Sequence, residues 1–118
     1  MIGTKFTVTF HVPGTLAANL DIRYTAQADC QLIHASAVGS NANNGILDIG
    51  PSTDTDGYLD GVDIGDSQTP IEFAKSSFVN TEFPHILKGT IIVISLDYDG
   101  AGGTATHDFT LVLTFTEG

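Results

Sequence analysis

The chain has no tryptophan, one cysteine, one methionine and only four basic residues among 118. Each shortage excludes something. Cys30 alone cannot close an internal bridge, and no CxxC or Cys/His cluster accompanies it, so a disulfide scaffold is out and the thiol reads as a small buried hydrophobe. Four Lys and Arg against 14 Asp and Glu leave a formal net charge of −10. That charge repels phosphate backbones and anionic lipid surfaces, so neither nucleic acid nor membrane is expected as a partner. A secretory leader is also missing from the pattern. Met1-Ile2-Gly3-Thr4-Lys5 is not a basic region followed by an apolar run of roughly 7 to 15 residues, and no stretch approaches the roughly 18 apolar residues of a membrane span. Synthesis in the cytoplasm is the expectation.

What is present is a foldable chain. Charged residues make up only 15% of it and hydrophobic residues 42%, which excludes a charged disordered segment. A length of 118 suits one domain, and such a chain removes roughly two-thirds of its unfolded surface from water, enough for a core without staples.

Hydrophobic period two dominates. Phe6, Val8, Phe10 and Val12 alternate with Thr7, Thr9 and His11, a half-buried strand that Pro13-Gly14 is expected to stop. Leu20, Ile22 and Tyr24 repeat the alternation, and Cys30 to Val38 reads as a third strand. Asn41 to Gly45 is a turn cluster of the kind tight hairpins use. Ile46 to Ile49, Tyr58 to Ile64 and Pro70 to Phe73 are shorter strands. Ile91-Ile92-Val93-Ile94, within Thr90 to Tyr98, is apolar on both faces, and Phe109, Leu111, Leu113 and Phe115 alternate strictly beyond Asp99-Gly100-Ala101-Gly102-Gly103. These last two are expected to form a hairpin. No segment holds a sustained 3.6-residue period; the best helix candidate, Pro70 to Val79, has room for a turn or two.

About eight short strands punctuated by Gly, Pro, Asn and Asp predict an all-β fold, a single antiparallel β-sandwich of jelly-roll type over residues 1–118. The first and last strands share Thr on one face and aromatics on the other, which places them in one sheet, where they can be neighbours. The two-faced run needs cover on both sides, and a two-layer sandwich buries only one. Ile91, Ile92, Val93 and Ile94 are therefore candidate interface residues, their second face meeting a subunit partner or a loop.

Asp48, Asp54, Asp56, Asp60, Asp63, Asp66 and Glu72 fall close together, with no Lys or Arg between Arg23 and Lys75. Hard oxygen ligands suit calcium, and Asp54, Asp56 and Asp60 are the candidates; the glycine and the closing carboxylate of an EF-hand are out of place, so a solvated acidic loop is the plainer reading. Asp97, Asp99 and Asp108 form a second such group. His11, His34, His85 and His107 lie on separate elements with no HxH or HExxH spacing, although His11 and His107 approach one another if the terminal strands pair. No GxSxG and no glycine loop leading into a helix is present, so no catalytic or cofactor-binding residues are assigned and no enzyme is expected. A carbohydrate-binding module is the leading alternative: Tyr58, within Asp56-Gly57-Tyr58, is either a sugar platform or an anchor for its loop.

Three segments carry a resemblance: 28–38 (Ala-Asp-Cys-Gln-Leu-Ile-His-Ala-Ser-Ala-Val), Ile46-Leu-Asp-Ile-Gly50 with its acidic Asp54-Thr-Asp56-Gly-Tyr-Leu59 continuation, and 88–100 with the strand that follows. In this grammar the chain resembles the small head decoration or cement proteins of tailed bacteriophages. The resemblance implies a non-enzymatic virion protein on the capsid surface, a homotrimer at local symmetry axes that bridges major capsid protein subunits. A tail or baseplate component would share the fold. No site residues transfer, because what matches is strand and turn pattern.

Overall fold

A computed structural model describes residues 4–65 and 68–118. Met1 to Gly3 of the leader reading, and Asp66 of the acidic run, lie outside the described residues. Nine strands follow in order: β1 (Lys5–Thr15), β2 (Leu20–Thr25), β3 (Cys30–Val38), β4 (Ile46–Pro51), β5 (Leu59–Asp63), β6 (Ile71–Phe73), β7 (His85–Ile86), β8 (Ile91–Asp97) and β9 (His107–Glu117). They form two antiparallel sheets. One has the order β1-β9-β3-β6, with β7 also on β3, and the other the order β2-β8-β4-β5. The chain thus crosses repeatedly between layers, and the architecture is the jelly-roll sandwich that the alternating pattern implies. We call the layers the terminal sheet, which holds β1 and β9, and the opposite sheet.

The terminal sheet is built on β9, with Phe109, Leu111, Leu113 and Phe115 all 0% exposed. Each such side chain contributes about 1.5–3 kcal/mol on burial. As expected, β1 is its neighbour, pairing Phe6 with Phe115 and Val12 with Phe109. The Phe6 and Phe115 rings stack at 5.1 Å. From the opposite sheet, Leu47, Ile49, Ile92, Ile94 and Leu96 complete the core.

Three expectations are corrected. The segments Ile91–Asp97 and His107–Glu117 are not a hairpin: β8 pairs with β2 and β4, whereas β9 pairs with β1 and β3. A strand apolar on both faces is a central one, and the connection after Tyr98 carries the chain across to the other layer. Pro13-Gly14 does not stop β1, which runs to Thr15 through a bulge where the register with β9 shifts between Val12 and Thr15. Gly14 supplies the positive φ of 84°, a conformation only glycine adopts freely.

The Asn41 to Gly45 cluster is not a hairpin turn either. It bridges the two sheets, and none of its asparagines is among the positive-φ residues; the amides work as hydrogen-bonding groups instead. Buried Asn43 accepts the Gly45 N–H at 2.8 Å and the Thr106 hydroxyl at 3.0 Å, and donates to the Asn41 carbonyl at 3.0 Å. As expected, Pro70 to Val79 holds a short strand, β6, and little helix, the single 3-10 turn Lys75–Ser77. Extended Phe78 interrupts it, and a second 3-10 turn follows at Val79–Thr81. Phe78 is 2% exposed, edge-on to Phe83 at 5.9 Å. This segment seals the β5/β6 side of the sandwich.

Candidate functional site

Strand pairing assembles a continuous outer face on the terminal sheet. Register places Thr7 beside Thr114, Thr9 beside Val112 and His11 beside Thr110. On the other side of β9, Val38 stands beside Thr110, Ser36 beside Val112 and Gln31 beside Thr116. A broad surface of hydroxyls and small apolar groups results. Lys5 stands at one corner, and Glu72, opposite Ser36, pairs with His34 at 3.2 Å. The middle of the face carries no charge.

The acids gather elsewhere. Asp54, Asp56 and Asp60 are exposed, on the turn after β4 and on β5. A hydrogen bond that the protonated Asp54 carboxyl donates to Asp56 raises its pKa above the ordinary value, with desolvation and the negative charges of Asp56 and Asp60 adding to the effect. Among the described residues no three acidic, His or Cys side chains gather as a metal would require. Asp97 accepts the Asp99 N–H at 3.1 Å, and Asp108 belongs to a different network. Its oxygens accept the Gly14 N–H at 2.6 Å and the Ser40 hydroxyl at 2.7 Å, bonds that hold its pKa below the usual carboxylate value, helped by His11 and His107. The terminal strands therefore bring these histidines toward one carboxylate, not toward a metal. His11 meets Thr110 at 2.8 Å and His107 meets Thr15 at 3.3 Å.

The interface candidates divide. Ile92, Val93 and Ile94 are 0–1% exposed within the chain, and Ile91 is 41% exposed. Ile92 and Ile94 face the core. Val93 faces outward, beside Gly50 on β4 and Arg23 on β2. The turn after β4 folds over Gly50: its Gly57 nitrogen lies 2.6 Å from where a Cβ would stand, and the Asp54 carbonyl is closer still. The second face of β8 is covered by the chain's own loop, which leaves Ile91 alone of the four for a partner. What sequence reading missed is the meaning of Gly50-Pro51: the glycine lets a loop lie flat on the sheet.

Cys30 is buried, its thiol pushed up by burial and by Asp29 and Glu117. Tyr58 is half-buried against the core, and burial raises its hydroxyl pKa. It also borders a cleft of about 210 Å³ with Asn80, Glu82, Phe83 and His85. Anchor and cleft wall are thus one residue.

No protein-family model matches the chain, and no curated protein matches it. Solved structures do share its fold. A chain of the cyanophage Pam1 capsid asymmetric unit superposes with a TM-score of 0.60 at 11% identity, over 99% of this chain and 87% of that one. A chain of the capsid of Ralstonia phage GP4 gives 0.62 at 16% identity, over 100% of this chain and 87% of that one. The chain therefore has the fold of chains found in these two phage capsids, across almost its full length.

Proposed function

We propose that this is a non-enzymatic virion protein that decorates a tailed-phage head, oligomerising about local symmetry axes, as a trimer, and clamping major capsid subunits from outside. The observation that carries the reading is the segregation of charge. The middle of the terminal sheet's outer face is uncharged Thr, Ser and Val, and most acids lie on loops and on the opposite sheet, with Glu72, Asp108 and Glu117 at the margins of the terminal one. An interface core is depleted of charge, whereas like-charged loops facing solvent keep particles apart. A shell packed with DNA is under outward pressure, and many modest contacts hold it by avidity. The fold shared with capsid chains supports the same assignment.

The test is addition of the purified protein to empty or expanded heads. The expected result is saturable binding and a raised disruption temperature, both abolished by Val112→Glu at the centre of the face. Absence of both effects overturns the proposal, and recovery of the protein in purified tails instead of heads moves it to the tail. A glycan-binding module is the second reading, resting on the Tyr58 cleft with its aromatic, amide and carboxylate lining. Its test is glycan-array binding that Tyr58→Ala removes.

A further inference from the structure

We propose that two copies of the chain pair edge to edge through β1, antiparallel about a two-fold axis at Val8. This goes beyond the virion reading and does not depend on it.

The two sides of the sandwich are finished differently. On the β5/β6 side, Leu59, Phe73, Phe78 and Ile86 are 0–3% exposed beneath the 3-10 segment. On the other side β1 and β2 are the edges of their sheets, with no strand beyond either among the described residues. Phe6, Val8 and Phe10, with Ile22 and Tyr24 across the gap, remain half-buried although they point into the core. The described residues leave them partly uncovered.

β1 also presents an open ladder. The Glu117 N–H bonds the Thr4 carbonyl at 2.9 Å, and the β1/β9 register continues without a shift to Val12. Hydrogen-bonded pairs recur at every second residue, so Phe6, Val8, Phe10 and Val12 spend their backbone groups on β9. Lys5, Thr7, Thr9 and His11 turn theirs to the empty side. Such an edge is a template for another strand.

The sequence of the edge selects a second copy as that strand. Phe6-Thr7-Val8-Thr9-Phe10 reads the same in both directions. An isologous antiparallel pair centred on Val8 sets Val8 opposite Val8, Thr7 opposite Thr9 and Phe6 opposite Phe10 of the other copy. Thr7 and Thr9 then exchange the free hydrogen bonds. The Val and Phe pairs fall at the non-hydrogen-bonded positions, where Cα atoms come within about 4.5 Å. Pro13, which has no N–H to give, falls beyond the paired stretch.

Charge points to the same edge. Copies that each carry −10 repel wherever acids meet, and the other edges bring Asp60 and Asp63 of β5 or Glu72 of β6. β1 has no acid, and Asp21 on β2 is paired with Arg23 at 3.3 Å.

The pair closes at two copies. Where three copies also gather about a threefold axis through another surface, it joins one cluster to the next, so the expected species contain an even number of chains. Native mass spectrometry and light scattering of the purified chain are expected to show dimers or hexamers, strengthened by salt as repulsion is screened. Thr9→Pro removes a donor only from the free edge and is expected to weaken the pairing about tenfold or more with melting of the protomer unchanged. Val8→Cys, in a Cys30→Ala background, is expected to cross-link to a covalent dimer on oxidation, and Thr7→Cys is not, since Thr7 faces Thr9. A monomer at high micromolar concentration, a trimer as the only oligomer, or cross-linking by Thr7→Cys in place of Val8→Cys overturns the proposal.

Discussion

The Asp108 carboxylate accepts the Gly14 N–H at 2.6 Å, fastening the bulge of β1 to the start of β9, while its second oxygen holds Ser40 at 2.7 Å. One acid thus ties three segments of the chain at one end of the terminal sheet.

Acid sensitivity follows from that contact. Asp108 titrates below the ordinary 3.8 in the folded chain. The unfolded state therefore takes up the proton first as pH falls. The stability this group contributes is complete above its unfolded value and is lost as pH drops through the folded one. Asp108→Asn is expected to melt below the parent at pH 7, with the gap narrowing as acid titrates the parent. Melting temperature against pH for both proteins checks this.

Gly50→Ala is expected to destabilise by about 1–3 kcal/mol, because the new methyl displaces the turn that covers β8. Gly102 is the control, since an added Cβ there meets nothing closer than Asp99 at 3.7 Å. Urea unfolding midpoints compare the two; equal midpoints would show that the turn yields without cost.

Asn43→Ala removes an amide that serves Gly45, Thr106 and Asn41. Leaving buried donors unmatched costs about 1–3 kcal/mol each. Thr106→Val in the same background is expected to add less than it does alone, which a double-mutant cycle measures.

Asp54 and Asp56 oppose one another when both are ionised. The raised Asp54 value means its contribution is favourable in acid and fades as pH rises through it. Asp54→Asn is expected to melt no lower than the parent at pH 7, and EDTA to leave both unchanged. A fall of the parent alone in EDTA would show that the loop holds a cation.

Much of this fold was legible in the alternation of residues. Period two located the strands around Phe6, Leu20, Cys30, Ile46, Ile91 and Phe109, since burying one face of a pleated strand demands it. Pairing was less legible. Ile91 to Ile94 and Phe109 to Phe115 look alike whether they form a hairpin or cross between layers, because the same glycine-rich link serves both. At Val93 the need for cover was legible but not its source, a subunit or a loop, and the loop after β4 supplies it. The neutral face of the terminal sheet, by contrast, was implicit in the Thr residues of β1 and β9.

The marriage of β1 to β9 has a consequence in time. His11 and its neighbour Thr110 are 99 residues apart in the chain, and β9 is the last of the described strands to leave the ribosome. Until it emerges, β1 has no partner strand and β3 has only β6 and β7, so the terminal sheet closes only once β9 has been made. Contacts of such long range make folding slow. During that wait the self-repelling acids of the middle segment guard the unpaired apolar strands against aggregation.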